Sequence, residues 1–338
     1  MNNFSYTRAS DLGDAVRQIA ADRQARFVAG GTNLIDLMKA NVTRPSRLVD
    51  ISRLPLNEIE ETADGGVRIG ALVPNSDLAY HPLIETRYPL LASAILAGAS
   101  HQLRNMASTG GNLMQRTRCY YFYDTATPCN KRAPGSGCSA IAGQNRIHAI
   151  LGTSENCIAT HPSDMCVALA VLEARVHVAS PDGERVIPFL DFHRLPGNTP
   201  EIDTNLKYDE IITAIGLPQQ GFARSHTYLK IRDRASYAFA LVSVAVGLEL
   251  RDGLLADARF ALGGVSHKPW RDVAAEAVLR GQTPSGENFA KAAEILLRAA
   301  RGYGHNDFKI ELARRAIVRA LQQAASGTPQ SQSDKRIR

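Results

Sequence analysis

Cys119, Cys129, Cys138, Cys157 and Cys166 are all the cysteines of this 338-residue chain, and they fall within one 48-residue window. The gaps between them are 9, 8, 18 and 8 residues, so no CxxC knuckle is present and the chain must loop widely to bring the sulfurs together. Thiolates are soft ligands that favour zinc, copper(I) and iron-sulfur centres, and four of them are the usual complement of a 4Fe-4S cluster. Cys119, Cys129, Cys138 and Cys157 lie among Tyr, Pro, Asn, Lys, Gly and Ser, in segments without sustained helical or strand periodicity. These four are the candidate metal ligands. Cys166 lies instead in Pro162-Ser163-Asp164-Met165-Cys166-Val167-Ala168-Leu169, an apolar run opened by N-cap residue types, and reads as a buried core thiol. Spacing alone leaves four readings open: iron-sulfur, structural zinc, two disulfides with a leftover thiol in an oxidising compartment, or a coincidence with no site.

Two small-residue turns form a second constellation. Ala29-Gly30-Gly31-Thr32-Asn33 and Thr109-Gly110-Gly111-Asn112 each precede an apolar segment. Glycine lets a backbone approach a ligand with no Cβ in the way, and free N–H groups at a helix start can cradle a pyrophosphate. Thr32, Asn33, Thr109 and Asn112 could add side-chain hydrogen bonds, so the pair favours a dinucleotide over two ordinary tight turns. Gly135-Ser136-Gly137-Cys138-Ser139-Ala140 matches a GxGxxA fingerprint but follows Asn130-Lys131-Arg132-Ala133-Pro134 rather than a strand, and is set aside. No Walker A or HExxH pattern occurs, and His148 and His161, which flank the cysteines, read as packing or surface residues.

The elements that must position these groups alternate along the chain. The first 60 residues read as helix, strand, glycine turn, helix, strand, with Arg26–Ala29 and Arg47–Ile51 as the strands. A strand over Val67–Leu72 follows the turn Asp64-Gly65-Gly66, and a helix over Leu90–Gly98 leads to the second glycine turn. Ala174–Ala179 and Arg185–Phe189 flank Ser180-Pro181-Asp182-Gly183 as a hairpin, and a second hairpin turns at Arg251-Asp252-Gly253. The last helix carries Ile310, Ala313, Ile317, Ala320, Leu321 and Ala324 on one face, with Lys309, Glu311, Arg314 and Arg315 elsewhere, a pattern that core packing suffices to explain. The expected organisation is residues 1–60, residues 61–220 with a cysteine insertion at about 117–160, residues 221–326, and a disordered polar tail over 327–338.

Composition narrows the function classes. Basic residues number 39 against 33 acidic, a net charge of +6 spread without a Lys/Arg run, so no nucleic-acid partner is expected. The start Met1–Arg8 lacks the apolar core of a secretory signal, and no apolar stretch reaches the roughly 20 residues of a membrane span.

Phe27-Val28-Ala29-Gly30-Gly31-Thr32-Asn33-Leu34, Arg104-Asn105-Met106-Ala107-Ser108-Thr109-Gly110-Gly111-Asn112-Leu113 and Pro162-Ser163-Asp164-Met165 together resemble the FAD-binding medium subunit of the xanthine dehydrogenase and molybdenum hydroxylase family. Tyr228-Leu229-Lys230-Ile231-Arg232 and Ala261-Leu262-Gly263-Gly264-Val265 are similar to its small C-terminal domain. The cysteine-bearing insertion resembles the periplasmic aldehyde oxidoreductase branch, whose flavin subunit also carries a 4Fe-4S cluster. The resemblance implies an α+β chain with a vanillyl-alcohol-oxidase (PCMH)-type FAD-binding fold of two α/β subdomains, followed by a C-terminal α+β domain. It implies FAD held by Phe27, Val28, Ala29, Gly30, Gly31, Thr32, Asn33 and Leu34, with the stretch from Ala29 to Leu34 at the pyrophosphate and Thr109, Gly111 and Asn112 joining from the second subdomain. Asp164 would bond the ribityl or pyrophosphate region, Lys230 would lie near the isoalloxazine, and Cys119, Cys129, Cys138 and Cys157 would bind iron.

The activity so implied is that of an electron-transfer subunit in a heterotrimeric aldehyde oxidoreductase. A large partner carries the molybdenum cofactor, a small partner carries 2Fe-2S clusters, and FAD passes electrons to an external acceptor. Substrate chemistry lies on the partner chain, so no catalytic residue is expected here. By the same analogy the folded complex is exported to the periplasm on a partner's signal, the alternative being a cytoplasmic location. The rival readings are a stand-alone FAD oxidase and a zinc-stabilised structural or binding module.

Overall fold

The computed structural model describes residues 1–332. The chain opens with β1 (Ser5–Arg8), α1 (Leu12–Ala20), β2 (Ala25–Val28), α2 (Leu34–Lys39) and β3 (Arg47–Asp50). The three strands form a parallel sheet in the order β1-β3-β2. Asp11 caps α1 by accepting from the Asp14 N–H, and the helix buries Ala15, Val16 and Ile19 at helical spacing. Strand β1 was not expected. It is largely exposed and shows no apolar alternation, so only its pairing with β3 gives it strand geometry.

A second, antiparallel sheet of order β4-β5-β8-β6-β7 follows. Its strands are β4 (Ile59–Glu61), β5 (Val67–Gly70), β6 (Arg175–Ser180), β7 (Gly183–Pro188) and β8 (Ile211–Leu217). Between β5 and β6 run α3 (Asn75–Ala79), α4 (Pro82–Arg87), α5 (Pro89–Ala97), α6 (His101–Met106), α7 (Thr109–Leu113), α8 (Tyr120–Tyr123) and α9 (Asp164–Val171), and α10 (Phe189–Phe192) follows β7. Helices α5 and α9 are apolar on nearly every face and correspondingly buried, because α9 is packed between the second sheet's core and the sheet that follows.

That third sheet, order β11-β10-β9, is antiparallel and made of β9 (His226–Ile231), β10 (Val242–Arg251) and β11 (Leu254–Gly263). Asp252 and Gly253 take positive φ, 52° and 78°, as the two-residue hairpin requires. Helices α11 (Val273–Ala277), α12 (Gly286–Leu297) and α13 (Phe308–Ala325) complete the regular structure among the described residues. Helix α13 packs its Ala313, Ile317, Ala320, Leu321 and Ala324 into the third core.

Two expectations are corrected. Lys309, expected away from the packed face of α13, is fully buried, because its Nζ donates to the carbonyls of His148 (2.8 Å) and Gly264 (2.6 Å). The tail expected to be disordered from 327 is held over residues 327–332, where the Gln330 N–H donates to Thr227 Oγ1 (2.8 Å) and Gln332 Nε2 to the Tyr228 carbonyl (3.3 Å). The rest of that expectation, 333–338, lies outside the described residues.

Candidate cofactor cradle and cysteine pocket

Strand β2 ends at Val28 and the chain turns through Ala29-Gly30-Gly31-Thr32-Asn33 into α2. Gly31 has φ +69°, which favours glycine. A Cβ on Gly30 would overlap the Met106 carbonyl oxygen and lie 3.4 Å from the Ala107 Cα, so the first turn rests directly on the approach to the second. The two glycine turns therefore share one surface. From Phe27 to Ile35 every residue is half-buried, with Phe27 and Ala29 packed against the core of the first sheet. The N–H groups of Gly31, Thr32 and Asn33 donate to no acceptor among the described residues, and Asn33 Nδ2 is shut off from solvent without a partner. Unspent donors around a glycine backbone suit an anionic or carbonyl-bearing ligand.

The second turn is different. Ser108 caps α7 by accepting from the Gly111 N–H (3.2 Å), Gly110 N–H donates to the Ala71 carbonyl (2.8 Å), and both the N–H and the hydroxyl of Thr109 donate to the Val73 carbonyl (2.9 and 2.8 Å). The expectation that Thr109 would offer a side-chain hydrogen bond is corrected, since its hydroxyl is buried and already used. Asn112 Oδ1 accepts from Ser163 Oγ and from Gln115 Nε2 (2.9 Å), which ties the turn to the start of α9. There Asp164 and Lys230 form an ion pair of 2.8 Å, with side chains 8% and 3% exposed, and Tyr228 donates to the other carboxylate oxygen at 2.6 Å. Lys230 also donates to the Ala97 carbonyl (3.1 Å). The sequence placed Asp164 and Lys230 at one ligand but gave no sign that they hold each other.

Six residues beyond Leu113 comes Cys119. Cys119, Cys129, Cys138 and Cys157 all line one pocket, together with Thr117, Lys131 and other residues. None of the five cysteines is in a disulfide, which removes the disulfide reading. The backbone there is almost without regular structure, so buried side chains must satisfy it. Arg132 donates to the carbonyls of Tyr121 (2.7 Å), Phe122 (2.9 Å) and Thr127. Asn130 joins the two sides of the loop, accepting from the Gly137 N–H (2.8 Å) and donating to the Asn156 carbonyl (3.1 Å). Lys131, nearly fully buried, is paired with Asp203, which also accepts from Arg116 (2.7 Å). Burial works against the Asp203 charge, yet the two cations hold its carboxyl far below the usual range.

The sulfurs differ in environment. Burial pushes the Cys119 thiol up to about 12, although the Tyr121 and Phe122 N–H groups point toward it. Cys138 and Cys157 share a hydrogen bond, which draws Cys138 down to about 6 and raises Cys157, with the N–H groups of Ala140, Ile141 and Ile158 around the former and Ala159 beside the latter. His148 Nε2 lies 3.0 Å from the Cys119 sulfur. Among the described residues no three of these four sulfurs gather within 4.8 Å of one another. A tetrahedral zinc with bonds of about 2.3 Å needs sulfurs roughly 3.8 Å apart, so the ring of thiols is wide for one ion. Four thiols around one cavity fit a polynuclear cluster.

Cradle and pocket meet where the Arg116 N–H donates to Asn33 Oδ1 at 3.0 Å, and along α2, where Asp36 accepts from Arg118 (2.9 Å) and Tyr123 (3.0 Å) and Leu37 packs in one cluster with Cys119, Cys129 and Cys157. Cys166, set aside by the sequence, is fully buried in α9 with its N–H capped by Ser163 Oγ (3.1 Å). Lys131, Arg116, Asp203 and His148 went unrecognised as pocket residues. Lys131 sits two positions from Cys129, a signal that was available, whereas Asp203 lies 72 residues from Lys131 and no local pattern points to it.

Residues 2–220 match the family described as the FAD binding domain in molybdopterin dehydrogenase, and residues 227–324 match the CO dehydrogenase flavoprotein C-terminal domain. The chain is 49% identical over 325 residues to the aldehyde oxidoreductase FAD-binding subunit PaoB of Escherichia coli (strain K12), covering 96% of this chain and 99% of that protein. It is 29% identical to the glyceraldehyde dehydrogenase medium chain of Sulfolobus acidocaldarius, covering 82% of each. Among solved structures, the carbon monoxide dehydrogenase of Hydrogenophaga pseudoflava lacking the Mo-pyranopterin moiety superposes with a TM-score of 0.76 at 25% identity, over 96% of this chain and 98% of the other.

Proposed function

The chain belongs to the molybdopterin dehydrogenase FAD-binding family, and from that premise we propose that it is the FAD- and 4Fe-4S-carrying electron-transfer subunit of an aldehyde-oxidising molybdenum complex. The observation that carries this reading is the match, over almost the whole length of both chains, to an aldehyde oxidoreductase FAD-binding subunit. Partners of the kind the family implies, a molybdenum-cofactor large subunit and a 2Fe-2S small subunit, would perform the substrate chemistry and deliver electrons. Bound FAD supplies a carrier that accepts electrons singly and releases them in pairs.

The chain's residues divide that work. Gly30 and Gly31 let the backbone approach the pyrophosphate, with the unspent N–H groups of Gly31, Thr32 and Asn33 and the Asn33 amide as donors. Phe27, Val28, Ala29 and Leu34 floor the groove, while Gly111 and Asn112 close it from α7. The second turn contributes shape more than donors, because its N–H groups serve β5 and its own cap. Asp164 is held rigid by Tyr228 and Lys230, and Lys230 supplies positive charge near the flavin ring, a lever on its potential. Cys119, Cys129, Cys138 and Cys157 would ligate the cluster. Support for a cluster over structural zinc comes from four thiols that line one cavity with no three of them within 4.8 Å of one another.

Cofactor extraction and iron analysis of the chain purified with its partners test the reading. One FAD and about four irons per complex beyond those of the partner's 2Fe-2S clusters are the expected yield, and a flavin-loaded complex with zinc and only the partner's iron rejects the cluster. Aldehyde turnover by the isolated chain would reject the subunit role in favour of a stand-alone oxidase. Export of the folded complex to the periplasm on a partner's signal completes the proposal, and activity confined to the cytoplasmic fraction would remove that part.

A further inference from the structure

The fifth cysteine does not stand alone in the core. One nitrogen of His161, one nitrogen of His193 and the sulfur of Cys166 all lie within 4.8 Å of one another. The two imidazoles are tilted by 48° with ring centroids 4.2 Å apart. His193 is 3% exposed and its Nε2 bonds the Leu113 carbonyl at 2.9 Å, so that nitrogen carries the proton. Its Nδ1 is left with a lone pair and no partner, and His161 Nε2 is likewise buried without one. Buried polar atoms without partners are rare because each costs about 1–3 kcal/mol.

We propose that His161, Cys166 and His193 are a mononuclear site for a borderline or soft cation, zinc or monovalent copper. Imidazole nitrogen and thiolate are the donors these ions take. A backbone carbonyl that fixes the second ring nitrogen, as Leu113 does for His193, is the usual way a ligating histidine is oriented. Bonds of about 2.0–2.3 Å require donor atoms roughly 3.4–3.8 Å apart, so loading closes the three side chains by up to about 1 Å. The step is not redox: the Cys166 S–H bond breaks, its proton leaves to solvent, and a metal–sulfur bond forms. The ion sits behind the second glycine turn. His193 holds the last carbonyl of α7, and Ser163, which caps Cys166, also donates to Asn112. Loading therefore ties α7, the start of α9 and the residue after α10 into one brace under the flavin cradle.

The test is metal analysis of the chain purified with its partners, as isolated and after incubation with Zn²⁺ or Cu⁺ under reducing conditions. One zinc or copper per chain beyond the iron is expected, with X-ray absorption showing one sulfur at about 2.3 Å and two nitrogens at about 2.0–2.1 Å. Cys166→Ser should weaken that ion at least tenfold and speed FAD release while leaving iron unchanged, whereas Cys119→Ser should lose iron and keep the ion. His161→Gln serves if Cys166→Ser does not fold. The proposal falls if the wild-type chain takes up no such ion, or if the ion persists in Cys166→Ser and His161→Gln; the three side chains are then an internal packing cluster. An iron-free chain would overturn the cluster reading and leave this site standing.

Discussion

The flavin cradle and the cysteine pocket are neighbours built in opposite ways. In the cradle the backbone faces the ligand: β2 and α2 fix a turn whose N–H groups are unspent, and side chains play a small part. In the pocket side chains have both jobs, offering the sulfurs proposed as ligands and holding an irregular backbone through Arg132, Asn130 and Lys131. A regular element satisfies its own hydrogen bonds and leaves its end free, whereas a loop buried around a cavity must borrow every partner. The cradle should therefore be damaged by added atoms and the pocket by removed ones.

The sharpest way to break that contrast is to delete a ligand. Cys129→Ser should remove the about four irons per complex that exceed the partner's 2Fe-2S content, with FAD retained, and simultaneous loss of flavin would show the two regions to be one unit. Acid comes next. Burial pushes His267 well below its ordinary value, and His267 lines a cavity that shares Thr117, Lys131 and Ala159 with the cysteine pocket. A histidine with a depressed folded pKa contributes stability that is whole above about 6.5 and lost as pH falls through its folded value. Urea midpoints should fall between pH 7 and 4.5, with iron released before flavin; the reverse order would contradict the contrast.

Adding a single methyl group probes the other side. In Gly30→Ala the new Cβ overlaps the Met106 carbonyl, at a cost of about 1–3 kcal/mol. FAD content should drop while iron holds, and wild-type flavin affinity would show that the turns do not need their close contact. The mildest change is Asn33→Ala, which removes the amide donor offered to the pyrophosphate and leaves the Arg116 N–H without its acceptor for about 1 kcal/mol. Because this bond joins the two regions, both cofactors should dissociate slightly faster. An effect on flavin alone would mean that the bond carries nothing to the pocket.

Much of the frame was legible in the sequence because it is written in local signals. Ser163 at the cap of α9, the turn at Asp252-Gly253, and the apolar stripe of α13 each depend on residues a few positions apart. What escaped is long-range. Strand β1 owes its shape to residues some forty positions away, and Lys309 looked like a solvent-facing cation until carbonyls from two distant loops were brought around it. Thr109 looked like a ligand donor, but β5 leads into Val73, whose carbonyl claims it first. The resemblance named the family, and the matches over 2–220 and 227–324 established it.

Residue types and spacing by themselves determined which groups are chemically able to bind: glycines able to turn sharply, four thiols outside regular structure, a fifth inside an apolar helix. Tertiary structure decided which of those groups remain available, because a donor or thiol is useful only if no nearer partner consumes it. Packing spent Thr109 internally, left the Asn33 amide open, and set Cys166 beside two histidines on either side of it in the chain. Chemical capacity is a property of the side chain, while vacancy is a property of everything folded around it.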